Sequence, residues 1–266
     1  MSTDSFKPIV DELCVRMPDQ GTITFVPSVH FSPTHRHRAR ETIRTVEPDV
    51  VAVELDERRF ENLEQDRRPN PVELARDLPP PAAIGYTILR AIQQTVVRLS
   101  GLDPAKTDME TAIETAAELD TPVALIDEPM AETVTALTNR IGPATLPRLL
   151  FRTQLLGPEE YARQMEVVAT PFAAIDHGDD VQPVIDNMRR LLPEVADVLI
   201  DRRDRAMAER LHRLRCAGYD VVAIIGAGHH NGIRRVLAEL EGERADSSVG
   251  VPIRHPSREV TRIPID

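Results

Sequence analysis

Tryptophan is absent from this 266-residue chain, and aromatic residues make up only 3% of it. Three tyrosines and six phenylalanines, scattered along the sequence, offer no stacking platform for nucleobases. Lysine is nearly missing too, since Lys7 and Lys106 are the only two. Acidic residues number 43 against 32 basic ones, a net charge of −11, and the arginines are interleaved with Asp and Glu. That pattern lacks the clustered cations that phosphate contacts need, so no nucleic-acid partner is expected. An acidic, lysine-poor surface is the composition of a halophilic protein, in which hydrated carboxylates maintain solubility. Cys14 and Cys216 are too few for a disulfide framework and have no metal-type spacing, so both read as inert thiols of a reducing compartment. No long apolar run is present: the most apolar helix candidate, Ala82–Leu99, carries Arg90, Gln93, Gln94 and Arg98. With no signal-type leader at its start, the chain is expected to be cytoplasmic, with no membrane segment.

What is present is an alternation of buried strands and amphipathic helices. Gly21–His30 reads as a β-branched strand ending at a loop, followed by a helix over Thr34–Val46 that stops before Pro48. Asp49–Leu55 is a second buried strand, so the two should run parallel, joined by a right-handed crossover. Further strands are expected over Pro122–Asp127 and Tyr219–Gly226, the latter leading through Ala227-Gly228-His229 into a helix from Asn231 to about Leu240. A long helix should run from about Leu191 to Cys216 and end at Gly218, with an edge strand near Val251–Arg254. The expected fold is α/β: a mainly parallel central sheet flanked by helices, with a helical insertion or cap. One domain covers 1–266, in which 67–106 is a proline-rich and helical insertion and 131–199 a helical cap.

Polar residues stand where these strands end. His30 closes the first, Glu54 the second and Asp127 the third, and His229 follows the fourth. In open parallel sheets ligands bind outside the carboxyl ends of the strands. A sheet buried on both faces has no structural use for four ionisable groups unless they converge off its edge, because burying each alone costs several kcal/mol. Each has a bland reading as well: a hydrogen-bonded surface histidine, a Glu54 pair to Arg58 or Arg59, an Asp127 helix cap. Gly226 and Gly228 let the backbone turn and approach a ligand, with the next helix offering its N-terminal N–H groups. Together with Gly232 they also form a variant dinucleotide fingerprint, which is weak because no βαβ unit follows it. His35 and His37, two apart at a helix start, read as solvated.

The chain resembles the TraB family, grouped with PrgY, GumN-like and TIKI proteins. The resemblance rests on four ordered blocks: Gly21–Leu55, including PSVH at 27–30 and VAVELDERR at 51–59; Thr107–Asp127; VLIDRRDRAMAERL at 198–211; and VVAIIGAGHHNGI at 221–233. It implies two histidines in Gly-x-x-His-type boxes, a strand-end glutamate and a late-helix arginine. On this chain these are His30, His229, Glu54 and Arg203. Asp108 stands where relatives carry a glutamate, Pro27 replaces the first glycine of a box, and Arg202 stands where archaeal relatives tend to have glutamate.

TIKI proteins are considered metal-dependent proteases, and TraB and PrgY are linked to limiting a peptide pheromone. The resemblance therefore implies a metal-dependent hydrolase acting on a peptide or other small-molecule amide or ester substrate. His30, His229 and Glu54 would hold a divalent ion (manganese, cobalt or zinc), which lowers the pKa of bound water and polarises the scissile carbonyl. Glu54 serves as ligand or as general base, and Arg203 neutralises an oxyanion or a substrate carboxylate. Asp108 joins Glu54 and Arg203 among the catalytic candidates, and Gly226, Gly228 and Asp127 among those that bind ligand. The competing expectations are a noncatalytic protein that sequesters a peptide or small ligand, and a nucleotide-binding enzyme.

Overall fold

The computed structural model of the chain describes residues 20–29, 32–65, 107–140, 177–241 and 248–256. The 67–106 insertion, most of the 131–199 cap, Cys14 and His30 lie outside the described residues.

In chain order the elements are β1 (Ile23–Ser28), α1 (Pro33–Val46), β2 (Val50–Val53), α2 (Glu57–Glu64), α3 (Asp108–Glu118), β3 (Val123–Leu125) and α4 (Met130–Arg140). Then follow α5 (Gly178–Leu191), α6 (Pro193–Ala196), a π-helical turn (Asp197–Asp201), α7 (Arg202–Cys216), β4 (Val221–Gly226), α8 (Ala227–Glu239) and β5 (Ile253–Arg254). The strands form one sheet in the order β1-β4-β2-β3-β5, with the first four parallel and β5 antiparallel to β3. A mainly parallel sheet flanked by helices is therefore the architecture, and the expected edge strand is β5. The parallel pair β1 and β2 are not neighbours, because β4 runs between them.

Local chemistry sets the helix ends. Pro33 opens α1 with its φ already helical, and Glu47 closes it in the left-handed region (φ 48) just before Pro48. Asp56 caps α2 by accepting from Arg59 N, and α3 begins with a reciprocal capping box between Thr107 and Glu110. Gly218 follows α7 at φ 88, as expected of the residue that turns a chain out of a helix. The helix expected from about Leu191 to Cys216 runs from Pro193 as α6, the π turn and α7 in direct succession, and Leu192 separates it from α5, whose ladder proline cannot continue.

Alternation along the strands sorts the core into two layers. Val26, Val51, Val53, Leu125, Val222 and Ile224 pack under α1, α2 and α3, while Phe25, Ala52, Ile126, Ala223 and Ile225 pack under α7 and α8. Both faces of β4 are thus covered, which explains its unbroken apolar run. The layers also place the site. The chain leaves β1 and β2 towards α1 and α2 on one face and leaves β4 towards α8 on the other. The crevices of a doubly wound sheet open where such exits diverge, here at the carboxyl end of β4. Among the described residues no helix is long and apolar enough to cross a membrane.

Candidate functional site

Glu54, one residue past β2, is buried, and its carboxylate spans the gap to β4: Oε2 accepts from Gly226 N at 2.7 Å. The N–H of Gly226, the last residue of β4 and the N-cap of α8, is thereby held by the protein's own carboxylate. That explains why α8 starts at Ala227, four residues earlier than expected, despite Gly228 in its first turn. His229 consequently sits on a helix rather than in a loop.

Arg203 joins the pieces. Its Nε donates to Asp127 Oδ1 at 3.0 Å, and Nη2 donates to Asp127 Oδ2 at 2.8 Å and to Glu54 Oε1. Nη1 reaches Leu199 O at 3.3 Å and His229 Nε2 at 3.1 Å. A guanidinium has five N–H donors, so these contacts engage all of them. The π turn before α7 contributes here: its wider register ties Arg202 N to Asp197 O and leaves the Leu199 carbonyl beside the guanidinium.

Asp127 is enclosed by arginines. Arg59 also reaches its Oδ2, and Arg210 reaches its backbone oxygen. Burial pushes the Asp127 carboxyl up, but the charge and hydrogen bonds of Arg203 and the charge of Arg59 outweigh it, so the group ends below the ordinary 3.8. Burial likewise opposes the Arg203 cation, yet Glu54 and Asp127 hold it more firmly protonated than a free arginine. Of the arginines expected beside Glu54, Arg59 instead serves Asp127 and Asp56, and Arg203 pairs with Glu54.

His229 is buried between two carboxylates. Its Nδ1 lies 2.6 Å from Asp204 Oδ1, and its Nε2 lies 3.4 Å from Glu54 Oε1. Asp204 was not singled out from the sequence, although a signal exists. It shares the spacing of Met207, Ala208 and Leu211, the buried stripe of α7, where an aspartate needs a partner. Burial pushes its carboxyl above 3.8 against the pull of His229.

The remaining candidates fall around this cluster. Asp108, fully buried at the start of α3, accepts a hydrogen bond from Ser28 Oγ, and Ser28 is the register partner of Gly226. Gly228 faces Ile185 of α5, whose Cδ1 would lie 3.4 Å from an added Cβ. Arg202 pairs with Glu128 at 3.0 Å and Glu132 at 3.4 Å. His35 corrects an expectation: it is fully buried, its Nδ1 accepting from Val29 N at 2.8 Å, because residues 35, 39 and 43 form the inner face of α1. His37 is exposed. His230 makes a T-shaped contact with Phe25, with ring centroids 5.5 Å apart and planes at 74°.

Whether a metal ion fits can be judged from the donors. His229 Nε2 and Glu54 Oε1, 3.4 Å apart, match two neighbouring ligands of a tetrahedral ion with bonds of about 2.1 Å. Asp204 behind the imidazole is the usual carboxylate backing of a metal-bound histidine. Among the described residues, however, no group of three or more His, Cys, Asp or Glu is arranged to hold an ion. The pair fits a metal only with a further ligand, for which the sequence offers His30.

An uncharacterized protein of Methanocaldococcus jannaschii is 29% identical over 222 residues, covering 82% of this chain and 54% of that protein. The chain therefore spans about half the length of the curated relative it matches. The sequence model of the TraB/PrgY/gumN family matches residues 15–244, a stretch that takes in Glu54, Asp127, Arg203, Asp204 and His229, and the chain belongs to that family.

Proposed function

We propose that this chain is a metal-dependent hydrolase of a peptide or another amide or ester, working at the carboxyl ends of β2 and β4. The observation that carries the reading is the pair His229 Nε2 and Glu54 Oε1, 3.4 Å apart, with Asp204 backing the imidazole. His229, Glu54 and His30 are the proposed ligands. A divalent ion held there would polarise the scissile carbonyl and lower the pKa of its bound water.

The chain's own groups supply the rest. Gly226 N fixes the Glu54 carboxylate in orientation, and Asp127 keeps Arg203 charged and in place. A substrate oxygen gaining negative charge would compete for Arg203 Nη1 with the Leu199 carbonyl and His229 Nε2, the longest contacts of the guanidinium.

One observation favours a second reading, a noncatalytic pocket that sequesters a peptide or small ligand. Arg203 contacts both Glu54 Oε1 and His229 Nε2, so a fixed cation already engages the donors that an ion would need.

Titration of the purified protein with manganese, zinc and cobalt separates the two, when paired with a screen for peptide and ester cleavage. The metal reading expects stoichiometric binding lost in His30→Ala and His229→Ala, with cleavage abolished in Glu54→Gln. Equal, weak binding by wild type and both histidine variants overturns it. Saturable peptide binding without turnover, retained in Glu54→Gln, supports the sequestering pocket.

A further inference from the structure

The glycines at 226, 228 and 232 resemble a phosphate-binding fingerprint in sequence, yet the packing gives the last of them a different task. A Cβ on Gly232 would overlap Asp204 Oδ2 and lie 2.5 Å from its Cγ. Only glycine at this point of α8 lets α7 bring an aspartate so close. The Asp204 carboxylate is fully buried; Oδ1 faces His229 Nδ1 at 2.6 Å, and Oδ2 has no hydrogen-bond partner among the described residues. A buried carboxylate oxygen left unmatched costs free energy, so its placement needs a compensating interaction on the other oxygen.

That interaction determines which nitrogen of the imidazole carries the proton. The Asp204 carboxylate accepts, so Nδ1 must donate. At the other side of the ring Arg203 Nη1, 3.1 Å away, can only donate, so that contact favours an accepting Nε2. Glu54 Oε1, 3.4 Å from the same nitrogen, would instead accept from an Nε2–H, so the pulls at Nε2 oppose one another and the 2.6 Å contact at Nδ1 decides for Nδ1–H with a bare Nε2. This is the less common tautomer of free histidine, and it is held by the hydrogen bond made at the opposite nitrogen.

We infer that Asp204, admitted by Gly232, is the positioning residue that fixes His229 as its Nδ1–H tautomer and presents the Nε2 lone pair to Arg203, against the pull of Glu54 Oε1 for an Nε2–H. The lone pair is what a metal or a transferred proton would use, so the assignment gives the site of the proposed hydrolase its orientation. It rests on that reading for its functional meaning only, because the tautomer is set whether or not an ion or substrate binds.

Nitrogen-15 NMR of histidine-labelled protein at neutral pH tests it, with His229 assigned by the signals missing from His229→Gln. Wild type is expected to show a protonated Nδ1 and a pyridine-type Nε2. In Asp204→Ala the pyridine-type shift should move to Nδ1. Gly232→Ala, which touches neither partner's chemistry, should produce the same change by displacing the carboxylate. The signal of the exposed His37 should stay put in both. Should either variant fail to fold, the wild-type spectrum still decides, since a protonated Nε2 there overturns the inference. Retention of the Nδ1–H form in folded Asp204→Ala overturns it as well, and retention in Gly232→Ala overturns the part assigned to the glycine. Metal binding lost with the tautomer intact counts against the hydrolase alone, whereas metal binding with the opposite tautomer counts against Asp204 alone.

Discussion

Arg203 and Asp127 are 76 residues apart in sequence and joined by two hydrogen bonds, Nε to Oδ1 at 3.0 Å and Nη2 to Oδ2 at 2.8 Å. The pairing ties α7 to the end of β3, and Glu54 is added from the end of β2 by the same guanidinium. Removing the arginine leaves two buried carboxylates facing one another. Arg203→Met is therefore expected to lose about 3–5 kcal/mol of stability in urea unfolding. Adding Asp127→Asn and Glu54→Gln to that variant should recover part of the loss; no recovery would mean that the charges do not act as one unit.

Acid should reveal Asp127 separately. Its folded carboxyl is held below the ordinary 3.8, so its contribution is fully present above that pH and is lost as pH falls through the folded value. The stability difference between wild type and Asp127→Asn should be constant near neutrality and shrink below about pH 4. Asp204, raised by burial, acts in the opposite sense, favouring the fold most when protonated. Unfolding curves of the two single variants across the acid range check both signs.

The two histidines at the start of α1 should differ sharply. His35→Ala opens a cavity and leaves the Val29 N–H without its acceptor, so a loss of about 2–4 kcal/mol is expected. His37→Ala, at an exposed position, should change stability by less than about 0.5 kcal/mol. Equal effects in thermal unfolding would contradict the burial of His35.

Glycines under α5 should also rank by the space beside them. An added Cβ at Gly178 would meet Asn231 Oδ1 at 2.6 Å and His230 Nδ1 at 2.8 Å, whereas at Gly228 it would meet only Ile185 Cδ1 at 3.4 Å. Gly178→Ala is expected to cost about 1–3 kcal/mol through overpacking of the α5–α8 contact, and Gly228→Ala less. Chemical denaturation of the two variants gives the order directly.

Much of this was legible in the residues themselves. Continuous β-branched runs marked the buried parallel strands, and Glu54, Asp127 and His229 stood out because ionisable groups at the ends of such runs must be matched off the sheet edge. Partners across the fold were not legible. Nothing in the local sequence assigns Arg203 rather than Arg58 or Arg59 to Glu54, because that choice depends on which helix crosses above β2. Asp204 was hidden by its neighbours: in an arginine-rich helix an acid looks like a surface partner, and only its place on the Met207–Leu211 stripe marks it as buried. The start of α8 was misplaced because the glycines suggested a loop, while the Glu54 carboxylate that stabilises the helix end comes from 172 residues away.

The central position of β4 has a consequence for how the chain reaches this fold. The strands that flank it, β1 and β2, are made early and are joined by a short crossover, yet they must stand roughly 10 Å apart, two strand spacings, to admit it. Until β4 emerges, some 170 residues after β2, an open slot would expose the inner backbone edges of both strands. Closing the sheet is thus a late, long-range event with a large loop entropy, and the protein should fold slowly and in one step once its last long strand is available. The site shares that timing: Glu54 meets Gly226 and His229 only when the slot is filled, so the cluster cannot assemble before β4 is in place.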